Sequence, residues 1–502
     1  MGVSTPISAG QQFIAGARRR GSGNERNDVV NPSTGGVVDT DNLGNARDVD
    51  SAVRAARDAF PGWAATSPGE RSEAMLRWAE ELALRAGELA ALESAIGGKP
   101  IRLAGGFDIP GVIDNVRFFA GAARNLEGRA SAEYSPDHTS VIRREPVGVV
   151  GSIAPWNYPL QMAAWKVLPA VAAGNTIVLK PAELTPSTTV LFAETAVAAG
   201  IPAGVINVVT GTGRETGEAL IGHDDVAMVS FTGSTAVGRR VAEVAAGQVK
   251  RVHLELGGKA PFVVFDDADL EAAARGAVAG SLINAGQDCT AATRAYVHRS
   301  RFDAFVARVA ELMGQVRIGR ADDPATDLGS LISVSHRDRV AAMVERARAA
   351  GARVVCGGRI PDGVPEGTAF YEPTLVVDCA QDSEIVQSEV FGPVLVALPF
   401  DTDDEAFALA GDTPYGLAAS AWTTNVYRAQ RAQREIAAGC VWINDHIPIV
   451  SEMPHGGYRA SGFGKDMSAY SFEEYTQVKH VMSDITGRAH KPWHDLVFAG
   501  GS

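Results

Sequence analysis

From Val147 to Gly258 short apolar runs alternate with helical segments, and this rhythm constrains the fold more than any other feature of the chain. Val147 to Ile153, Thr176 to Lys180, Val205 to Val209, Val226 to Phe231 and Arg251 to Glu255 read as strands. Met162 to Ala172, Ser187 to Ala199, Thr216 to Ile221 and Val237 to Ala246 read as helices between them, with Gly174 and Gly200 closing the first two. Repeated strand–helix–strand units imply a parallel sheet covered by helices on both faces. After Gly258 the rhythm restarts, with Pro261 to Phe265 as a strand and Leu270 to Ala285 as a helix. Arg353 to Cys356, Leu375 to Val377 and Val394 to Leu398 then read as strands of a second α/β sheet.

The flanking segments read differently. The first 50 residues are rich in Gly, Asn and Ser and read as loops with short strands. From Asp48 to Glu93 the spacing is helical. Ala52, Ala55, Ala56, Phe60 and Trp63 mark one apolar face, and Met75, Trp78, Leu82 and Leu84 the next. A further helix runs from Val112 to Ala123 through Phe118 and Phe119. Ala130 to Arg144 and Glu474 to Met482 look like solvent-side extended strands, free to pair with each other or with another subunit. A length of 502 residues fits three domains, or two with an accessory element.

Charge and cysteine content narrow the function. With 46 Lys and Arg against 59 Asp and Glu, the net charge of -13 opposes binding to nucleic acid or to acidic membranes. The cysteines, Cys289, Cys356, Cys379 and Cys440, are too sparse for a disulfide framework, and no pair has zinc-ligand spacing. No metal is expected, and a reducing cytoplasm is the simplest setting. Arg18-Arg19-Arg20 is not followed by a secretory-signal core, and Met1-Gly2 lacks the hydroxyl residue of a myristoylation signal because Pro6 stands there. No apolar run approaches the roughly 20 residues of a membrane span.

Several short segments carry possible chemistry. Cys289 lies in Asn284-Ala285-Gly286-Gln287-Asp288-Cys289-Thr290, just after a helix. It reads as a nucleophile on a tight turn or as a small core residue. Glu255, flanked by leucines at the end of an apolar strand, reads as a base raised by burial or as half of an ion pair. Asn157 lies in Ala154-Pro155-Trp156-Asn157-Tyr158-Pro159, a rigid loop after a strand. Its amide can donate to an oxyanion or merely bond its own turn. Phe231-Thr232-Gly233-Ser234 leads from a strand into a helix N-terminus, where a pyrophosphate is favoured. Gly211-Thr212-Gly213 with Gly217 is a weaker version of the same signal. In Lys180-Pro181-Ala182-Glu183 the carboxylate can accept from a ribose hydroxyl and would repel a 2′-phosphate, favouring NAD over NADP.

Taken together and in this order, these segments resemble the aldehyde dehydrogenase superfamily. The resemblance runs from Asn31-Pro32-Ser33-Thr34-Gly35 to Met482. It also includes Glu255-Leu256-Gly257-Gly258-Lys259, Gly286-Gln287-Asp288-Cys289 and Glu389-Val390-Phe391-Gly392-Pro393. It implies an α/β fold with a Rossmann-like NAD-binding domain over 1–126 and 147–257 and a catalytic domain over 258–470. A small β oligomerisation element over 127–146 and 471–490 and a C-terminal tail over 491–502 complete it. It further implies a homo-oligomer, a dimer or a tetramer built from two dimers.

The roles implied by the resemblance fall on individual residues. Cys289 is the nucleophile, Asn157 and the Cys289 N–H form the oxyanion hole, and Glu255 is the base. Lys166 and Asp466 form a polar relay behind the base, although the family often has Glu where Asp466 stands. Lys180 and Glu183 hold the adenine ribose, Ser234 the pyrophosphate and Glu389 the nicotinamide ribose, with Phe391 near the nicotinamide. Ile153, Trp156, Gly213, Phe231, Gly233, Leu256 and Gly257 complete the NAD site.

The chain is most similar to the 4-aminobutyraldehyde dehydrogenases of putrescine breakdown, and close to the betaine aldehyde dehydrogenases. Asn284 to Ala292, Met453-Pro454-His455-Gly456-Gly457 and Ser461 to Ser468 carry that likeness. Tyr158 and Trp165 are implied walls of a substrate tunnel, with Trp442 near its exit. Asp108 and Asp288 are the carboxylates implied for a substrate ammonium, while a second tunnel-mouth carboxylate of some members falls on Gly111.

Overall fold

The computed structural model describes residues 11–126 and 131–498. Met1, Gly2, Pro6, the start of the 127–146 segment and the end of the 491–502 tail lie outside the described residues.

The first sheet has eight strands, in the order Gly462–Phe463, Arg251–Glu255, Met228–Thr232, Val149–Ile153, Thr176–Lys180, Ile206–Val208, Gln12–Ile14 and Ala17–Arg19. The five strands from Arg251–Glu255 to Ile206–Val208 are mutually parallel, and the strands at either end join antiparallel. From Val149–Ile153 the chain winds outward to Thr176–Lys180 and Ile206–Val208. It then returns to Met228–Thr232 on the other side of its starting strand. This reversal opens a crevice at the carboxyl ends of Val149–Ile153 and Met228–Thr232, where ligands of open α/β sheets bind.

Burial explains why these strands are so apolar. Thr176–Lys180 is buried along its whole length, as expected of a parallel strand covered on both faces. The Pro159–Ala172 helix behind it is apolar nearly all round and every one of its residues is buried. The outer helices follow ordinary capping chemistry. Ala46–Ala64 starts in a capping box between Asn45 and Asp48, and Pro68–Leu84 in one between Ser67 and Glu70 with Pro68 at its first turn.

The second sheet runs Arg353–Cys356, Thr374–Val377, Val394–Phe400, Ala292–His298, Ala260–Val264, Ala418–Trp422 and Cys440–Ile443. All its pairs are parallel except Arg353–Cys356 with Thr374–Val377. The two orphan strands of the sequence pair with each other. Thr476–Asp484 runs antiparallel to His138–Pro146, with Thr476 opposite Pro146 and Asp484 opposite His138, and Ala132–Ser135 completes the small sheet.

Three sequence expectations change. The helix expected to reach Ala285 ends at Leu282, because Asn284, Ala285 and Gly286 adopt φ of 50°, 57° and 69°. The expected Thr216–Ile221 helix starts earlier and changes in kind, with a π-helical turn over Gly213–Gly217 leading into the α-helical Glu218–Ile221. Leu84, expected on the apolar face, is 81% exposed. It follows Leu82 by two residues, about 200° round a helix, so it faces outward.

Candidate active site

The left-handed run before Cys289 sets the position of its side chain. Left-handed backbone costs a non-glycine residue about 1–2 kcal/mol, so Asn284 and Ala285 need outside support. The Asn284 amide supplies it by donating to the carbonyls of Asn157 at 2.7 Å and Gln287 at 3.2 Å. Gln287 returns a bond to the Asn284 carbonyl and accepts from the Ile332 N–H. At Gly286 an added Cβ would lie 2.1 Å from the Gly392 carbonyl oxygen, so a side chain is excluded. The turn is therefore stitched to the Asn157 loop on one side and to the loop after Glu389 on the other.

Beyond this turn Cys289 faces a cavity of about 700 Å³ that opens from the crevice of the first sheet. Its thiol is pushed well above the ordinary range by burial and by the negative charges of Asp288, Glu389 and Glu255. Asn157 shares the cavity wall, and its Nδ2 donates to the Gln287 carbonyl at 3.0 Å. That bond uses one of the two amide hydrogens and leaves the other for a ligand.

The expected cofactor residues divide into three sets. Trp156, Gly233, Ser234, Leu256, Gly257, Glu389 and Phe391 line the same cavity as Cys289. Ser234 caps the Thr235–Gly247 helix, so the first N–H groups of that helix point towards the crevice. Glu389 accepts from the Gly258 N–H at 2.9 Å and is pushed up to about 7 chiefly by burial. The Phe391 ring packs edge-on to Trp156 at 5.3 Å.

Phe231 forms a floor rather than a wall: its ring lies beneath Gly233, where an added Cβ would come within 2.6 Å. Ile153, Lys180, Glu183 and Gly213 gather outside the cavity. An added Cβ on Gly217 would sit 3.7 Å from Ile153 Cδ1 and 3.9 Å from Lys180 Cδ. Lys180 Nζ donates to the Pro181 carbonyl and lies 3.5 Å from Glu183 Oε2. A continuous hollow from a helix N-terminus to a cysteine, with bare backbone at Gly233 and Gly257, fits a dinucleotide.

Glu255 does not line this cavity in the observed conformer. Its carboxylate is buried, has no hydrogen-bond partner among the described residues and is pushed up by that burial. It lies 3.5 Å from His455 Nδ1 and 3.8 Å from His253 Nε2. Beyond it Lys166 Nζ grips both oxygens of Asp466 at 2.7 and 3.0 Å, fully buried. His455, which the sequence reading passed over, does line the cavity and packs against Trp165 at 5.0 Å.

On the substrate side Tyr158, Trp165 and Asp288 line the cavity as expected. Asp288 accepts from the Tyr158 hydroxyl at 2.8 Å and from both the N–H and hydroxyl of Thr290 at 2.7 Å. Phe107, Gln161, Met162, Ile447 and Ile449 were missed. Gln161 and Met162 share a helix face with Tyr158 and Trp165, a periodicity visible in the sequence.

Two expected substrate residues are misplaced. Asp108 is fully buried and paired with Lys99 at 2.5 Å, so its carboxylate neither faces water nor lines the cavity. Trp442 also lies outside the lining. Its indole N–H donates to the Pro448 carbonyl and its ring packs on His446 at 4.8 Å.

Comparison with known proteins gives this arrangement a family. The aldehyde dehydrogenase family profile matches residues 19–481, and the chain belongs to that family. A Burkholderia cenocepacia protein provisionally described as an aldehyde dehydrogenase is 40% identical, with a TM-score of 0.94, over 96% of this chain and 99% of its own. A Bacillus cereus aldehyde dehydrogenase in complex with NAD+ is 38% identical, with a TM-score of 0.92, over 95% and 96%. Betaine aldehyde dehydrogenase from Staphylococcus aureus, also with NAD+, is 36% identical, with a TM-score of 0.92, over 95% of both chains. The fold is the family's mixed α/β arrangement, with a Rossmann-like NAD-binding domain and a catalytic domain.

Proposed function

We propose that this chain oxidises an aldehyde to its carboxylic acid with NAD through a thioester on Cys289, and that the aldehyde is 4-aminobutanal. The observation that carries the reading is the single cavity in which Cys289 and Asn157 share walls with Ser234, Leu256, Gly257, Glu389 and Phe391. The NAD complexes of the similar Bacillus and Staphylococcus enzymes support the same cofactor.

Because burial holds the resting thiol protonated, Cys289 gives up its proton to water as its sulfur adds to the carbonyl carbon. The free hydrogen of Asn157 Nδ2 and the Cys289 N–H stabilise the resulting oxyanion. Ser234, Leu256, Gly257, Glu389 and Phe391, with Lys180 and Glu183 beyond them, would hold NAD, which would supply the hydride acceptor needed to reach the thioester. Glu255 then turns towards the cavity and removes a proton from water, which releases the acid. Lys166 and Asp466 support Glu255 from behind.

At the far end the lining is aromatic and apolar, from Phe107, Tyr158, Trp165 and Ile449, with the Asp288 carboxylate among these groups. A carboxylate beside aromatic rings suits an ammonium group. A second reading, betaine aldehyde, draws on the same rings and on the Staphylococcus enzyme. We assign the chain to the cytoplasm, where its free thiols would persist. No helix among the described residues is long and apolar enough to cross a membrane. We also assign it a homo-oligomer, built through the exposed edge strand Thr476–Asp484.

The test is NADH absorbance with 4-aminobutanal, betaine aldehyde and hexanal, on the parent and Cys289→Ala. Highest kcat/KM with 4-aminobutanal and no turnover in Cys289→Ala support the reading. Preference for hexanal removes the ammonium substrate, and unchanged turnover in Cys289→Ala removes the mechanism.

A further inference from the structure

Behind the cavity a buried histidine occupies the gap between the base and its supporting ion pair. His253 is fully buried two residues before Glu255 in the same strand, so both side chains point to one face of the sheet. Its Nδ1 is 2.9 Å from the Ser230 hydroxyl of the adjacent strand. Its Nε2 has no hydrogen-bond partner among the described residues. That atom lies 3.8 Å from Glu255 Oε1 and 3.9 Å from Asp466 Oδ1. The ring is also confined, since an added Cβ on Gly464 would fall 2.2 Å from its Cδ2.

We propose that His253 is a positioning residue for Glu255, donating its one Nε2 proton to the carboxylate in the buried conformer from which Glu255 turns to the cavity, beside the Lys166–Asp466 pair. This rests on the reading of Glu255 as the base. A closure of about 1 Å brings Nε2 within hydrogen-bond reach of either carboxylate. The groups around the ring are Glu255, Asp466, Lys166, Lys465, His455 and Glu474, the last pushed up to about 7 chiefly by burial. Burial, aided by Lys166, pushes His253 down to about 3, so the ring stays neutral throughout the working range. A neutral imidazole bonded at Nδ1 to a hydroxyl carries its proton on Nε2 when Ser230 donates. A donor at that place favours the ionised form of Glu255, the form that accepts a proton from water.

The experiment follows pre-steady-state and steady-state NADH formation from pH 5.5 to 9.5. It uses the parent, His253→Phe, His253→Gln, Ser230→Ala and Glu255→Gln. A burst near one NADH per site reports thioester formation, and the steady state reports its hydrolysis. In His253→Phe the burst is expected to remain. The acidic limb of the steady-state rate should move up by about one pH unit, the effect of one hydrogen bond to a charged group. His253→Gln, which keeps a donor near Nε2, should restore the limb, and Ser230→Ala should shift it in the same direction by less.

Superimposable profiles for the parent, His253→Phe and Ser230→Ala overturn the proposal. So does parallel loss of burst and steady state in His253→Phe and His253→Gln. If His253→Phe does not fold, Ser230→Ala decides alone: a shifted limb supports the role and an unshifted one overturns it. Unchanged steady-state turnover in Glu255→Gln would instead refute the assignment of the base, an outcome distinct from failure at His253.

Discussion

Replacing Lys99 by methionine removes a cation that lies 2.5 Å from Asp108 and 3.9 Å from Glu93, all three side chains being fully buried. Breaking a buried ion pair from one side costs about 3–5 kcal/mol. The Lys99 ammonium also sits 4.2 Å from the centre of the Tyr158 ring, a contact worth roughly 0.5–2 kcal/mol. The two carboxyls limit the loss by taking up protons. Burial already pushes Glu93 up to about 7, and it pushes Asp108 up against the opposing pull of Lys99. A carboxyl raised in the folded state stabilises it at low pH, and that stability is lost as pH rises through the folded value.

In Lys99→Met both values rise further, so the deficit against the parent grows with pH. Each carboxyl protonated in the variant but ionised in the parent adds about 1.4 kcal/mol per pH unit. If Asp108 alone differs, a deficit of about 1–2 kcal/mol at pH 6 becomes about 4–5 kcal/mol at pH 8. Thermal unfolding of both proteins at the two pH values reads this directly. A deficit that is constant, or larger at pH 6, refutes the buried-charge account.

Gly286→Ala should lower stability by about 2 kcal/mol or more through left-handed strain and the clash with the Gly392 carbonyl. Because it displaces the turn before Cys289, it should also cut kcat by about a hundredfold; a parent-like kcat would show that the turn does not set the Cys289 position. Since burial and three carboxylates raise the Cys289 thiol above 9.0, iodoacetamide alkylation without nucleotide should still accelerate beyond that pH. A plateau below pH 8 would contradict this, whereas Asp288→Asn should move the curve to lower pH. The same Asp288→Asn should reduce kcat/KM for 4-aminobutanal about tenfold relative to hexanal, the effect of one lost charge interaction. An equal fall for both aldehydes would mean that Asp288 serves packing alone.

The five parallel strands of the first sheet were readable because each is a short, largely apolar run followed within three residues by a glycine or proline, and burial on both faces leaves little polar alternation to obscure them. The errors arise where distant residues decide the backbone. No proline or glycine stops a helix at Leu282, and Ile283 and Ala285 on either side of Asn284 continue its apolar run. The stop depends on the Asn284 amide reaching the Asn157 carbonyl, 127 positions away. Strand Ala292–His298 escaped notice because Arg294 interrupts it, and a buried arginine contradicts a central strand when read locally. In the fold its guanidinium is satisfied by the carbonyls of Lys259 at 2.9 Å and Ala410 at 3.1 Å.

The substrate side shows the same division between what a residue type permits and what its partner determines. Asp108 and Asp288 looked alike in sequence, both carboxylates near aromatic tunnel residues. Asp108 is separated by about two helical turns from Lys99, and their pairing at 2.5 Å neutralises it inside the protein. Asp288 is bound by two hydroxyls and one backbone N–H, with no cation paired to it among the described residues. Hydrogen bonds hold a carboxylate in place without cancelling its charge, whereas a buried ammonium cancels it. Of the two, only Asp288 brings a carboxylate without a paired cation to the cavity wall, so the proposed selectivity for a cationic aldehyde would rest there and on the rings of Tyr158, Trp165 and Phe107.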